Sequence, residues 1–149
     1  MAEVRVDVDT SPLARKLRQL LVGVADASPL MRQWAEVAHF SVTRNFDVGG
    51  RPRWKPLSAV TIKKKGHNRP LIGRTGNLTN ITVQSGRTSV ILGTHPSARA
   101  YAAIQQFGGR AGRNLKVLIP ARPYMMLQPD DMVEMRQLTR GYVRGLARE

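Results

Sequence analysis

The spacing of apolar positions changes several times along this chain, and each change marks an element. Val4, Val6 and Val8 alternate with Arg5, Asp7 and Asp9, the two-residue period of a half-buried strand. Thr10 or Ser11 then suits a helix cap with Pro12 in the first turn, and Leu13, Leu17, Leu20, Leu21 and Val24 draw an apolar stripe to about Ala27. Ser28-Pro29 repeats the start signal. Leu30, Met31, Trp34, Val37, Ala38 and Ser41 mark one face of a second helix, which ends near Phe46 before Gly49-Gly50. After Pro129, Asp130 and Asp131 fit a first helical turn, where the backbone dipole favours negative charge. Met132, Met135, Leu138, Tyr142, Val143 and Leu146 complete a carboxy-terminal amphipathic helix.

Between these helices the pattern shortens. Ile81 and Val83, then Val90, Ile91 and Leu92, flank Ser85-Gly86-Arg87-Thr88, which is hairpin turn chemistry. Pro96 opens a helix carrying Tyr101, Ala102, Ile104 and Phe107, and Gly108-Gly109 ends it because glycine takes the left-handed conformation without steric cost. Arg110 to Asn114 reads as a polar loop. Leu115 to Ile119 reads as a strand stopped by Pro120 and Pro123, which cannot donate ladder hydrogen bonds. Thr75-Gly76-Asn77-Leu78 looks like a turn into a brief helix.

Residues 51–74 are the least patterned, with prolines at 52, 56 and 70, glycines at 66 and 73, and the Lys63 to Lys65 run. Ser58 is placed to cap a short helix over Ala59 to Lys64, with three lysines against the negative end of its dipole. Trp54, Leu57, Val60 and Ile62 are the strong apolar anchors of this stretch, so 49–73 is expected to be mobile in a free subunit and ordered in an assembly.

These elements imply one α+β domain, a small and largely antiparallel sheet with amphipathic helices packed on it and an extended basic loop. Its parts are an amino-terminal strand and two helices (1–47), the basic loop (48–74), the sheet and central helix (75–128) and the last helix (129–148). A length of 149 residues suffices to bury a core. No apolar run is long enough to span a membrane. The opening MAEVRVDVD has no apolar signal region, so secretion is not expected. Zero cysteines fits a reducing compartment and excludes disulfides and thiolate metal sites.

Charge changes the picture most. The net charge is +14, and it is segregated: no acidic residue lies between Asp47 and Asp130, while 14 of the 24 basic residues do. The flanks balance. Such segregation implies an anionic partner, either nucleic acid or an acidic protein face. Arg51, Arg53, Lys55, Lys63, Lys64, Lys65, Arg69, Arg110 and Arg113 are the candidate contacts to it. They are scattered through loops, which suits non-specific phosphate contact and not base reading. Trp54, between Arg53 and Lys55, reads as a buried loop anchor ahead of a base-stacking platform.

Candidate catalysis is sparse. His39, His67 and His95 lack metal-ligand spacing and orienting acids, and Asp130-Asp131 is accounted for by its place at a helix start. Gly108 to Arg113 lacks the lysine and hydroxyl residue of a phosphate-binding loop and follows a helix where such a loop follows a strand. The chain therefore reads as a non-enzyme with no cofactor.

Four short motifs in order carry a resemblance: Trp54-Lys55-Pro56-Leu57-Ser58 with Thr61; Pro70-Leu71 with Thr75-Gly76-Asn77-Leu78; Tyr101-Ala102 with Gln106-Phe107-Gly108-Gly109; and Ile119-Pro120-Ala121-Arg122-Pro123-Tyr124. Over about Phe40 to Leu127 they resemble the phage virion morphogenesis family of tail-completion proteins. Gln105 stands where that family often has histidine. The resemblance implies a structural virion protein of the neck or tail end, assembled in the host cytoplasm. It also implies a ring of identical subunits, expected as a hexamer, in contact with neck, portal-connector or tail-tube proteins and threaded by double-stranded DNA. Trp54, Gln106, Phe107, Gly108, Pro120, Arg122, Pro123 and Tyr124 are its motif and subunit-contact candidates. A non-specific nucleic-acid-binding protein of ribosomal type is the alternative that the charge alone allows.

Overall fold

The computed structural model describes residues 11–148. The strand expected at Val4 to Val8 lies outside them. In chain order come α1 (Ser11–Ala25), α2 (Ser28–Val48), α3 (Ala59–Lys65), β1 (Ile81–Ser85), β2 (Val90–Thr94), α4 (Arg99–Phe107), β3 (Gly109–Ala111), β4 (Val117–Ile119) and α5 (Pro129–Arg148). The fold is α+β, with the strands in two separate antiparallel pairs.

The helix α2 is the axis. Its buried residues Leu30, Met31, Ala38, Ser41, Val42, Asn45 and Phe46 recur at the spacing of one helical face, so a single stripe meets both α5 and the β1–β2 hairpin. The pairing with α5 is antiparallel: the Trp34 indole donates to the Met135 carbonyl at 3.2 Å, and seven residues on, Ser41 meets Asp131 at the start of α5. Gly49 ends α2 in the left-handed conformation. At its start Ser28 is already helical and does not cap. The Asp26 carboxylate does so instead, accepting from the Ser28 hydroxyl at 2.5 Å and the Ser28 N–H at 3.2 Å, and these two hydrogen bonds, the hydroxyl's first, hold its pKa below the ordinary 3.8.

Two apolar clusters follow from this geometry. Ala27, Leu30 and Met31 gather Trp34, Val90, Leu138 and Tyr142 at one end of α2. At the other end Val42, Phe46, Trp54, Leu71, Leu78, Ile81, Ala98 and Tyr124 close a larger core, with the Phe46 ring edge-on to Trp54 at 5.7 Å. The helix α1 buries no residue and packs on α5, where a Cβ at Gly23 would meet Leu146 at 2.4 Å. The stripe of Leu13, Leu17, Leu21 and Val24 is left exposed.

Ile81 lies opposite Thr94 in the first pair, and Gly109 opposite Ile119 in the second. Two local expectations change here. Gly109, read as the helix end, and Arg110 and Ala111, read as the start of a loop, pair as a strand, and the expected strand start at Leu115 is instead part of a tight turn with Asn114 and Leu115 at φ 56° and 53°. The turn reverses the chain so that β3 can satisfy the β4 backbone. After Thr75 no helix forms, because the Thr79 and Asn80 N–H groups both reach the Gly76 carbonyl as a single turn.

Candidate functional site

The IPARPY motif, residues 119–124, is where the chain's separate parts are tied together. It starts on the last residue of β4, passes α4 and leads into α5, and the ties to it are polar. Asn45 on α2 is fully buried, and its amide donates to the carbonyls of Tyr124 and Met126, each at 2.9 Å. Its own oxygen accepts from Arg51 Nε at 2.8 Å. Arg51 also donates to the Ser41 carbonyl and hydroxyl at 2.8 Å, and Ser41 donates to Asp131. Asp131 accepts the Gln128 N–H at 2.6 Å, while the Gln128 amide donates back to the Arg51 carbonyl at 2.8 Å. The network closes on itself, and no buried side-chain polar atom among the described residues lacks a partner.

A second set of ties comes from the motif residues. Gln106 Oε1 accepts the N–H groups of both Tyr124 and Met125 at 3.0 Å, fixing the exit from IPARPY against α4. Trp54, only 5% exposed, donates to the Pro123 carbonyl at 3.1 Å. Arg122, also 5% exposed, donates from Nε to the Lys55 carbonyl at 3.1 Å, and burial lowers its pKa. Gly108 has φ 74°, and a Cβ there would sit 2.7 Å from the Ala121 nitrogen, so only glycine lets α4 end against this motif. Of the eight motif residues, Trp54, Arg122 and Tyr124 are buried inside the chain, and Pro123 and Gln106 serve them. Pro120 lines a surface groove, and Phe107 is 78% exposed.

The cationic residues divide in the same way. Arg51 and Arg122 belong to the interior ties, whereas Arg53, Lys55, Lys63, Lys64, Arg69, Arg110 and Arg113 are exposed. Lys63 to Lys65 form the last turn of α3, with Ser58 capping its start through the Thr61 N–H. Among the described residues the one ion pair is Arg87 with Asp26, both well exposed, so the other 13 basic residues between Asp47 and Asp130 have no ion-pair partner there. The basic segment is tied at both ends, by Arg51 and Trp54 at the start and by Leu71, an anchor not recognised in the pattern, at the finish. Val60, expected as an anchor, is 65% exposed.

A groove of about 590 Å3 opens between α3, α4 and β4. Its walls include Leu57, Tyr101, Val117 and Leu118, and two cations, Lys65 and Arg122, share it with no acidic residue. Burial lowers the pKa of Lys65, and the nearby Arg122 lowers it further. Among the described residues no group of three or more histidine, aspartate or glutamate side chains could hold a metal ion.

Sequence patterning missed the members of the polar network. Asn45 carried a signal: it continues the buried face of Ala38, Ser41 and Val42, and an amide on an apolar face needs partners. Gln128 and the second role of Asp131 had none, since both depend on where α5 begins in space.

A profile of the phage virion morphogenesis family matches residues 8–144. A protein described as Mu-like prophage FluMu G protein 2, from Haemophilus influenzae, is 36% identical over 146 residues, covering 98% of this chain and 99% of the relative. No solved structure matches. The residues knotted at IPARPY lie within the matched span, and the chain belongs to the phage virion morphogenesis family.

Proposed function

We propose that this virion-associated protein is a tail-completion subunit, a terminator or head-tail joining ring at the neck or tail end through which DNA passes, and that it has no enzymatic role. The observation that carries the reading is the exposed, uncompensated positive charge on a chain of this family. Seven of the candidate contact residues project from a body whose only ion pair among the described residues lies elsewhere. A lumen that conducts DNA needs positive charge without sequence readout, and flexible lysines and arginines supply it. A closed ring needs two different faces on each subunit, and the exposed stripe of α1 and the β3–β4 hairpin, with Val117 and Leu118 bare, are two such faces.

The test is DNA binding with charge reversal. The full chain should bind duplexes of unrelated sequence equally, with affinity falling steeply with salt. Exchanging Arg53, Lys63 and Lys64 for glutamate should weaken all of them uniformly and flatten the salt slope by about one unit per lost phosphate contact. A sequence preference, or salt-insensitive binding, contradicts the reading.

A further inference from the structure

Lys65 and Arg122 are an unusual pair to leave in a shared, partly apolar groove. Arg122 spends its guanidinium on two backbone carbonyls, of Lys55 and Pro56, and these neutral acceptors do not cancel its charge. Among the described residues Lys65 reaches only the Arg69 carbonyl, at 3.5 Å. Two cations drawn out of water beside each other repel, and the span from 48 to 129 contains no carboxylate to offset them. The groove volume lies within the roughly 300–1,000 Å3 of ligand-holding clefts. All three residues of β4 line it, and β4 pairs with β3 alone. The fitting occupant is an extended segment with carboxylates on one side and apolar side chains on the other.

The chain itself holds such a segment ahead of Ser11. Glu3, Asp7 and Asp9 outnumber Arg5, and Val4, Val6 and Val8 alternate with the charges. Extended, residues 4–9 span roughly 20 Å, at about 3.3 Å per residue, with valines and carboxylates on opposite sides. We propose that the groove of one subunit receives residues 3–9 of a second copy, with the valines against Leu57, Tyr101 and Leu118 and the carboxylates of Asp7 and Asp9 at Lys65 and Arg122. This deepens the ring reading and rests on it: a donated segment on one side and an acceptor groove on the other make a head-to-tail contact that repeats around a closed assembly.

The absence of cysteine makes the test clean. Full-length chains carrying Val8→Cys and Leu118→Cys are mixed and oxidised, and a mixed disulfide dimer is expected. Adding Lys65→Glu to the acceptor chain should lower its yield about tenfold, the loss of one good charge-assisted contact. Adding Asp7→Lys to the donor should restore it, and a synthetic peptide of residues 2–10 should compete. No mixed disulfide, or a Val8→Cys/Leu118→Cys chain that closes on itself as a monomer, overturns the inference. Sedimentation of the unmodified chain separates the two readings: assembly without the mixed disulfide removes the groove contact and leaves the ring, whereas a strict monomer removes both.

Discussion

Asn45→Ala cuts the polar network at its centre. The side chain is fully buried and makes three hydrogen bonds, donating to the Tyr124 and Met126 carbonyls and accepting from Arg51. The substitution orphans two acceptors and one donor, and an unsatisfied buried group costs about 1–3 kcal/mol. Tyr124 is 2% exposed, so its carbonyl bears the full penalty, while the bonds at Met126 and Arg51 are partly buried and water can repair some of the loss. The expected destabilisation is about 3–4 kcal/mol, a large share of the roughly 5–15 kcal/mol that holds a domain folded. For a chain of this size that is a fall in Tm of about 10 °C. Asn45→Asp should be no milder, because a carboxylate cannot donate to the two carbonyls and repels them. Urea unfolding followed by the fluorescence of Trp34 and Trp54 gives the midpoint and slope. A loss below about 1 kcal/mol with an unchanged slope would show that the network is solvated and not the clamp described here.

Three further outcomes follow from the same geometry. Burial, then Tyr101, raises the Tyr124 pKa above its ordinary 10.0, so its stabilising contribution is complete below about pH 10 and is lost as pH rises through the folded value; Tyr124→Phe should remove that alkaline step in unfolding free energy, and an unaltered step would locate the titration elsewhere. Gly108→Ala should cost more than Gly66→Ala by at least about 1 kcal/mol, because both glycines have positive φ but only the Cβ at Gly108 meets backbone; equal midpoints in urea would deny the close approach to Ala121. Amide exchange should protect Trp54, whose N–H donates to the Gly49 carbonyl at 2.9 Å, more than Lys63 to Lys65 in the free subunit, and uniform exchange across 51–65 would mean that the ties at Arg51 and Trp54 do not hold the segment.

The helices were legible from their apolar period: the buried face of α2 follows the stripe from Leu30 to Phe46, and α5 buries Met135 and half-buries Leu138, Tyr142 and Leu146 of its stripe while Met132 and Val143 stay exposed. Turn chemistry located the β1–β2 hairpin and the Ser58 cap for the same local reason. What failed were elements whose state is decided at a distance. Nothing local distinguishes Gly109 to Ala111 as strand from loop, since its partner β4 supplies the ladder. The motif at 119–124 was visible as a rigid exit, but its interior role was not, because the amide that clamps Tyr124 stands 79 residues away on α2. Trp54 was legible as a buried anchor, but the carbonyls that it and Arg122 reach were not, because those partners are 69 and 67 residues distant. The cations were legible as a class, and of the nine candidate contacts taken together with Arg122 the fold sorted two, Arg51 and Arg122, into the interior ties, left seven facing solvent and placed Lys65 in the groove.

Copies of this chain are proposed to close into a ring at the end of a phage tail. Native mass measurement of the purified protein, alone and after incubation with tail tubes lacking it, tests that most directly. A ring gives one discrete multiple of the 16.6 kDa subunit, six by the resemblance of its motifs, bound once per tube end. A monomer in both conditions, or binding along the length of the tube, would contradict it.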